Sequence, residues 1–172
     1  MPLAHRTAHR RTVSPVPVVA VATALLLAST AGCATRVSVP VAPYAADPLC
    51  AAVVLALPQD LAGLPRLRTT SQATVAWGEA TSAVVLRCGV EPPPPTTDQC
   101  VTADDGTTAV DWVAVPGPAD ADGAAPWTFT TYGRSPAVEV RVPAAVTSTR
   151  STSFLLELGP AIATVEATRR CL

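Results

Sequence analysis

The side chains of this chain left for polar chemistry are those of Asp, Glu, Arg, Tyr, Ser, Thr, Gln and Trp, because downstream of residue 32 it has no histidine, lysine or asparagine and its cysteines are expected in disulfides. Both of its histidines, His5 and His9, lie before that point. A Ser or Cys nucleophile ordinarily needs His or Lys beside it as base. Composition therefore argues against serine hydrolases, Cys-His transpeptidases, Ser-Lys enzymes, Schiff-base lysines and His-ligated zinc hydrolases. No Gly-rich phosphate loop is present. Carboxylate chemistry survives: two of Asp111, Glu139, Asp104, Asp105 and Glu79 facing each other across a cleft at about 5 to 9.5 Å would suit glycoside hydrolysis. Their spacing along the chain singles out no pair. The expectation is a protein that is not an enzyme and needs no cofactor.

The basic stretch from Met1 to Thr12, with His5, Arg6, His9, Arg10 and Arg11 and no acid, precedes an apolar run of Val, Ala and Leu from Val13 to Ala31. That is the layout of an export signal. It ends in Ser29-Thr30-Ala31-Gly32-Cys33, where a bacterial lipoprotein would be cut and acylated, giving residues 1–32 as signal peptide and Cys33 as the lipidated residue. An uncleaved anchor helix is the alternative, but a span needs about 20 apolar residues and Pro17 shortens the run. Arg10-Arg11 leaves twin-arginine export open beside the general route. The expected place is the extracytoplasmic face of the cell membrane, held by acyl chains, of which one is marginal and two are stable.

Removing the signal takes Arg6, Arg10 and Arg11 from the twelve Lys and Arg of the whole chain, leaving nine against thirteen acids, a formal charge of −4 over 140 residues. One domain is the expectation. Nucleic acid is a poor partner for such a chain, since phosphate neutralisation needs clustered cations. No polybasic run adjoins Cys33 to hold anionic lipid.

Four cysteines remain after Cys33, an even number in a compartment that permits disulfides. Of the three pairings we favour Cys88 with Cys100, closing the proline-rich segment between them, and Cys50 with Cys171. A metal site has little support, as no pair shows Cys-x-x-Cys spacing and no histidine can join.

Residues 33–46, with Pro40 and Pro43, form an extended tether able to hold the domain, residues 47–172, some 40 Å from the membrane at about 3.1 Å per residue. Asp47-Pro48 caps a short amphipathic helix with Cys50, Val53, Val54 and Leu57 on one face, stopped by Pro58. Asp60 to Pro65 is a turn or brief helix. Thr74 to Trp77 and Ala83 to Cys88 make a hairpin around Gly78-Glu79, followed by strands Val110 to Val115, Trp127 to Tyr132 and Ala137 to Val142. The last alternates, with Val138, Val140 and Val142 on one face and Glu139 and Arg141 on the other. Glu91 to Gln99, with its four prolines, cannot join a ladder, and Pro116 to Pro126 is a loop. Phe154, Leu155, Leu158, Ile162 and Val165 share one helical face, with a kink or break at Gly159-Pro160. The expected fold is a single α+β domain: an antiparallel sheet of four to five strands packed by N- and C-terminal helices, with two disulfides.

An ordered set of motifs runs through this domain: Trp77-Gly78, Leu86-Arg87-Cys88-Gly89-Val90 with Pro92, Cys100, Asp111-Trp112, Thr131-Tyr132-Gly133-Arg134, Pro136-Ala137-Val138-Glu139-Val140 with Pro143, and Cys171. By these the chain resembles the actinobacterial lipoproteins that carry domain of unknown function 3515. The resemblance implies an exported or membrane-attached protein and no activity, so it supplies no catalytic residues. The polar members of the motifs, Arg87, Asp111, Tyr132, Arg134 and Glu139, are the candidate binding residues. Arg134, after Gly133 at a strand end, could hold a carboxylate or phosphate in two parallel hydrogen bonds. The plainer alternative is that Arg87 or Arg134 pairs with Glu139 or Asp111 to satisfy the sheet. Trp77, Trp112 and Trp127 read as packing in preference to a sugar platform.

Three functions follow from different classes. The first is a membrane-held interaction or assembly protein with an envelope protein as partner. The second is a binding module for a wall glycan, lipid or anionic solute, marked by a concave patch joining a Trp to Arg134. The third is a carboxylate-dependent glycan hydrolase.

Overall fold

The structure, a computed structural model, describes residues 36–171. The signal segment and Cys33, with the cleavage and acylation expected there, lie outside the described residues. No helix among the described residues is long and apolar enough to cross a membrane.

Helix α1 (Pro48–Ala56) starts as its first residues dictate. Asp47 Oδ1 accepts the N–H of Leu49 at 2.8 Å, and Pro48 occupies the first turn, where a missing N–H leaves no bond unmade. Cys50 and Val53 are buried, but the outer face carries exposed Leu49 and Leu55 and no charge. The helix is apolar on both sides, not amphipathic.

Eight strands follow: β1 (Asp60–Leu61), β2 (Leu64–Leu67), β3 (Thr74–Trp77), β4 (Val84–Val90), β5 (Gln99–Asp104), β6 (Ala109–Pro116), β7 (Trp127–Thr131) and β8 (Ala137–Val142). They make one antiparallel sheet in the order β1-β2-β3-β4-β8-β7-β6-β5. A sheet of four to five strands is therefore too small. The hairpin of β3 and β4, and strands β6, β7 and β8, stand where periodicity puts them. The additional strands are short or largely exposed, β5 burying only Ala103, so neither face selects a run of apolar residues. Asp60 to Pro65 is a β-hairpin whose two loop residues, Ala62 and Gly63, take φ of 51° and 80°, as a twisted two-residue turn requires. Short helices α2 (Ala144–Thr147) and α3 (Leu155–Ile162) complete the chain, and α3 runs through Gly159-Pro160 without the expected break. Phe154, Leu155, Leu158, Ile162 and Val165 are all buried with α1 and the sheet in the main core.

Strand β3 is buried on both faces. Trp77 and Val75 belong to the main core, whereas Ala76 packs on Val37 and Val39 on the opposite side. Residues 37–45 are thus no free tether. Val37, Val39, Ala42 and Ala45 are buried, Val37 forms a parallel bridge with Thr69, and Tyr44 N–H donates to Gly89 O at 2.8 Å. Each buried Val removes enough apolar surface to stabilise the packed state by about 1.5 kcal/mol or more, which an extended, hydrated tether would forgo.

The disulfides join Cys50 to Cys88 and Cys100 to Cys171, with Cα atoms 5.4 and 6.1 Å apart. This corrects the pairing expected from sequence proximity, for two reasons. Strand order separates β4 from β5 by four spacings, about 19 Å, against the roughly 5.5 Å that a disulfide bridges. Register then puts the two cysteines on opposite faces. Arg87 pairs with Glu139, Glu139 with Thr130, Thr130 with Val113 and Val113 with Cys100, so Cys100 shares the face of Arg87 while Cys88 points into the core. Cys50, on the buried face of α1, meets Cys88 there.

Candidate functional site

The four prolines between β4 and β5 have a defined task. The chain must cross β8, β7 and β6 to reach the far edge, and eight residues from Glu91 to Asp98 at about 3.1 Å each span that distance with little slack. Pro92 to Pro95 make this crossover a stiff strap. Facing it runs the C-terminal tail, which is pinned along its length: Thr168 N–H donates to Gly133 O at 2.7 Å, Arg134 forms a bridge with Ala167, Cys171 N–H donates to Asp111 Oδ2 at 3.0 Å, and Cys171 is bonded to Cys100. Gly133, at φ 70°, allows the approach, since a Cβ there would lie 2.8 Å from Arg169 N.

Strap and tail enclose a cleft of two adjoining cavities. One, of about 380 Å³, is lined by Pro95, Asp98, Tyr132 and Arg170 among others. The second, of about 310 Å³, lies between Pro92 to Pro95 and the turn carrying Gly133, Arg134 and Ser135, with Arg169 at its rim.

The candidate residues meet different fates. Arg87 and Glu139 pair across β4 and β8: Glu139 Oε1 accepts Arg87 Nη2 at 2.9 Å, Arg87 Nε at 3.0 Å and Arg141 Nε at 2.8 Å. Their side chains are 14% and 12% exposed, so this is a largely desolvated pair within the sheet. Asp111, 6% exposed, accepts Thr102 Oγ1 at 2.7 Å and the Cys171 N–H. Arg134 is equally buried. Its Nη1 donates to Val165 O and Ile162 O and its Nη2 to Ala109 O at 3.3 Å, so it caps carbonyls at and just past the end of α3 and ties them to β6. Burial lowers its pKa, the nearby Arg170 charge lowers it further, and Asp111 opposes both. Its Nε has no partner among the described residues. Arg134 is thus a structural clamp and its fork is not presented to a ligand. Of the five, Tyr132 lines the larger cavity as a half-buried wall residue, its N–H donating to Asp111 O at 2.8 Å.

The carboxylates proposed for hydrolysis are dispersed. Asp104 accepts Gly106 N–H, and Asp105 accepts the N–H groups of Thr107 and Thr108, in the turn between β5 and β6. Glu79 is exposed in the turn between β3 and β4. None of the five lines the cleft. The tryptophans are equally unavailable there: Trp77 and Trp112 are fully buried, and Trp127 stacks on Phe129 at 6.0 Å. Among the described residues no group of three or more His, Cys, Asp or Glu could hold a metal ion.

Sequence reasoning missed Arg169, Arg170 and Asp98. Their one signal was adjacency to Cys171 and Cys100, which becomes legible only when those two cysteines are paired.

No curated protein and no solved structure matches this chain. The family model described as a protein of unknown function, DUF3515, matches residues 12–171, a span that takes in the sheet, both disulfides, the strap and the pinned tail. The chain belongs to the DUF3515 family.

Proposed function

We propose that this is a non-catalytic interaction protein of the cell envelope, attached through Cys33 to the outer face of the cytoplasmic membrane. What supports this most is the commitment of its polar side chains. Arg87, Asp111, Arg134 and Glu139 are held by neighbours within the domain, so that among the described residues Asp98 is the one carboxylate lining the cleft, and the hydroxyls there, such as those of Ser135 and Thr168, have no histidine or lysine to serve as base. The cleft itself has the character of a docking surface. Its walls are a stiff proline strap and a disulfide-pinned tail, so little conformational freedom is lost on binding. Its rim carries Arg169 and Arg170 against one carboxylate, which suits an extended acidic segment of a partner protein.

In-cell crosslinking with purification tests this, comparing wild type with R169E/R170E. The expected result is a stoichiometric envelope partner, joined to the strap or tail through an acidic segment and lost in the charge-reversed variant. A partner retained undiminished in that variant, or none captured, overturns the reading. Arg134→Ala is unsuitable for this purpose, since it removes a clamp of the fold.

A further inference from the structure

Arg36 and Arg68 lie in the fold as neighbours although 32 positions separate them. Val37 N–H donates to Arg68 O at 2.8 Å and Thr70 N–H to Val37 O at 3.1 Å, the pattern of a parallel bridge between Val37 and Thr69. Continued by one residue, that register sets Arg36 alongside Arg68, one strand spacing of about 4.8 Å away. Both are exposed, and both line one open cavity of about 350 Å³ together with Arg66. No carboxylate lines it, and among the described residues neither Arg36 nor Arg68 makes an ion pair. Like charges directly opposed across a bridge repel, and an anion between them removes that cost. Arg66 differs: its Nη1 and Nη2 donate to Leu57 O and Val54 O, each at 3.2 Å, so it serves the end of α1. That bond also brings the last turn of α1, with Leu55 85% exposed, within one arginine side chain of the cavity.

Covalent reach decides what anion this pair meets. Four residue steps separate Cys33 from Val37, the first of the described residues bonded into the domain, and they span at most about 14 Å. We propose that Arg36 and Arg68 form a seat for the phosphates of anionic membrane lipids, which holds the domain flat on the bilayer instead of at the end of a tether. The inference rests on the attachment through Cys33. Magnitudes agree with it. Two exposed arginines near an anionic surface contribute far less than micromolar capture of a free anion requires. They are enough to orient a domain that an anchor already keeps at the surface.

The test uses the protein extracted from membranes with its own attachment, its intact mass read, and then reconstituted in vesicles of phosphatidylcholine alone or mixed with phosphatidylglycerol. Phenylglyoxal modification of each arginine is followed by peptide mass. We expect Arg36 and Arg68 to react about 30-fold more slowly on the phosphatidylglycerol vesicles, the ratio that corresponds to about 2 kcal/mol, with the shielding lost in molar salt. Exposed Arg150 and Arg169 serve as internal references and keep their rates. Equal rates at Arg36 and Arg68 on the two kinds of vesicle, or equal slowing at all four arginines, overturn the lipid seat while leaving the anchor in place. A mass without acyl chains on Cys33 overturns the anchor, and the seat with it.

Discussion

The carboxylate of Asp111 accepts a hydrogen bond at 3.0 Å from the backbone N–H of Cys171, 60 residues further along the chain, while the sulfur of Cys171 is joined to Cys100 on the neighbouring strand β5. One tail residue is thereby held by two different strands. Asp111→Ala would leave Thr102 Oγ1 and the Cys171 N–H without their partner. It should lower the unfolding free energy in urea by about 2 kcal/mol. C100S/C171S should cost about 4 kcal/mol, the chain-entropy value for a closed loop of this length, and should speed amide exchange in residues 167–171. Non-reducing peptide maps should show Cys50 with Cys88 and Cys100 with Cys171; a Cys88–Cys100 peptide would contradict this topology.

Arg134→Met keeps the apolar stem and deletes the guanidinium that binds the carbonyls of Val165, Ile162 and Ala109. The expected loss is about 2 to 3 kcal/mol of stability, measured by denaturant titration, with α3 exchanging faster than the sheet centre. Arg169→Met, at an exposed rim position, should stay within about 0.5 kcal/mol of wild type. Equal losses in the two variants would contradict the clamp.

Gly89 occupies φ 89°, and a Cβ there would lie 2.6 Å from Ala45 N. Gly89→Ala therefore combines a left-handed backbone with a collision against the N-terminal segment. A loss of about 2 kcal/mol or more is expected, together with faster exchange in residues 37–45. If the segment were a free tether, the substitution would not change its exchange.

Two groups give opposite pH signatures at the ends of the range. Asp105 is held below the usual carboxylate pKa, first by the Thr107 hydroxyl and then by the N–H groups of Thr107 and Thr108. Its contribution is present above the unfolded aspartate value and lost as pH falls through the lower folded one. Tyr44 donates to Glu91 Oε2 at 2.8 Å, and this bond with the Glu91 charge raises its pKa. Its contribution is full below the ordinary tyrosine value and lost as pH rises through the higher folded one. Thermal melts should show a shallower acid limb in Asp105→Ala and a shallower alkaline limb in Tyr44→Phe. Unchanged limbs would contradict the assignment.

Much of the secondary structure is local and was legible. Strands β3, β4, β6, β7 and β8, the Asp47-Pro48 helix start and the buried C-terminal face each follow from residues within a few positions of one another, because alternation, capping and proline chemistry act over that range. The short strands β1 and β2 and the edge strand β5 were not, since a strand of two to four residues, or one left mostly exposed, carries too few buried positions to set a period. The helix α1 misled for a related reason. Its spacing matched an amphipathic face, but the outer residues are apolar as well.

The polar repertoire, from which His, Lys and Asn are missing after residue 32, the four cysteines available for two disulfides, and the stiffness of the proline run are properties of the residues alone. Tertiary structure alone decided who meets whom. The order β4-β8-β7-β6-β5 sends Cys88 and Cys100 to distant strands and opposite faces, turns the prolines into a strap, and brings Arg169 and Arg170 beside it. The bridge between Val37 and Thr69 likewise makes a cationic pair from Arg36 and Arg68, where the chain shows no basic run. The physical reason is the same in each case: strand order and register are set by the summed burial and hydrogen bonding of the whole sheet, a quantity that no short window of residues contains.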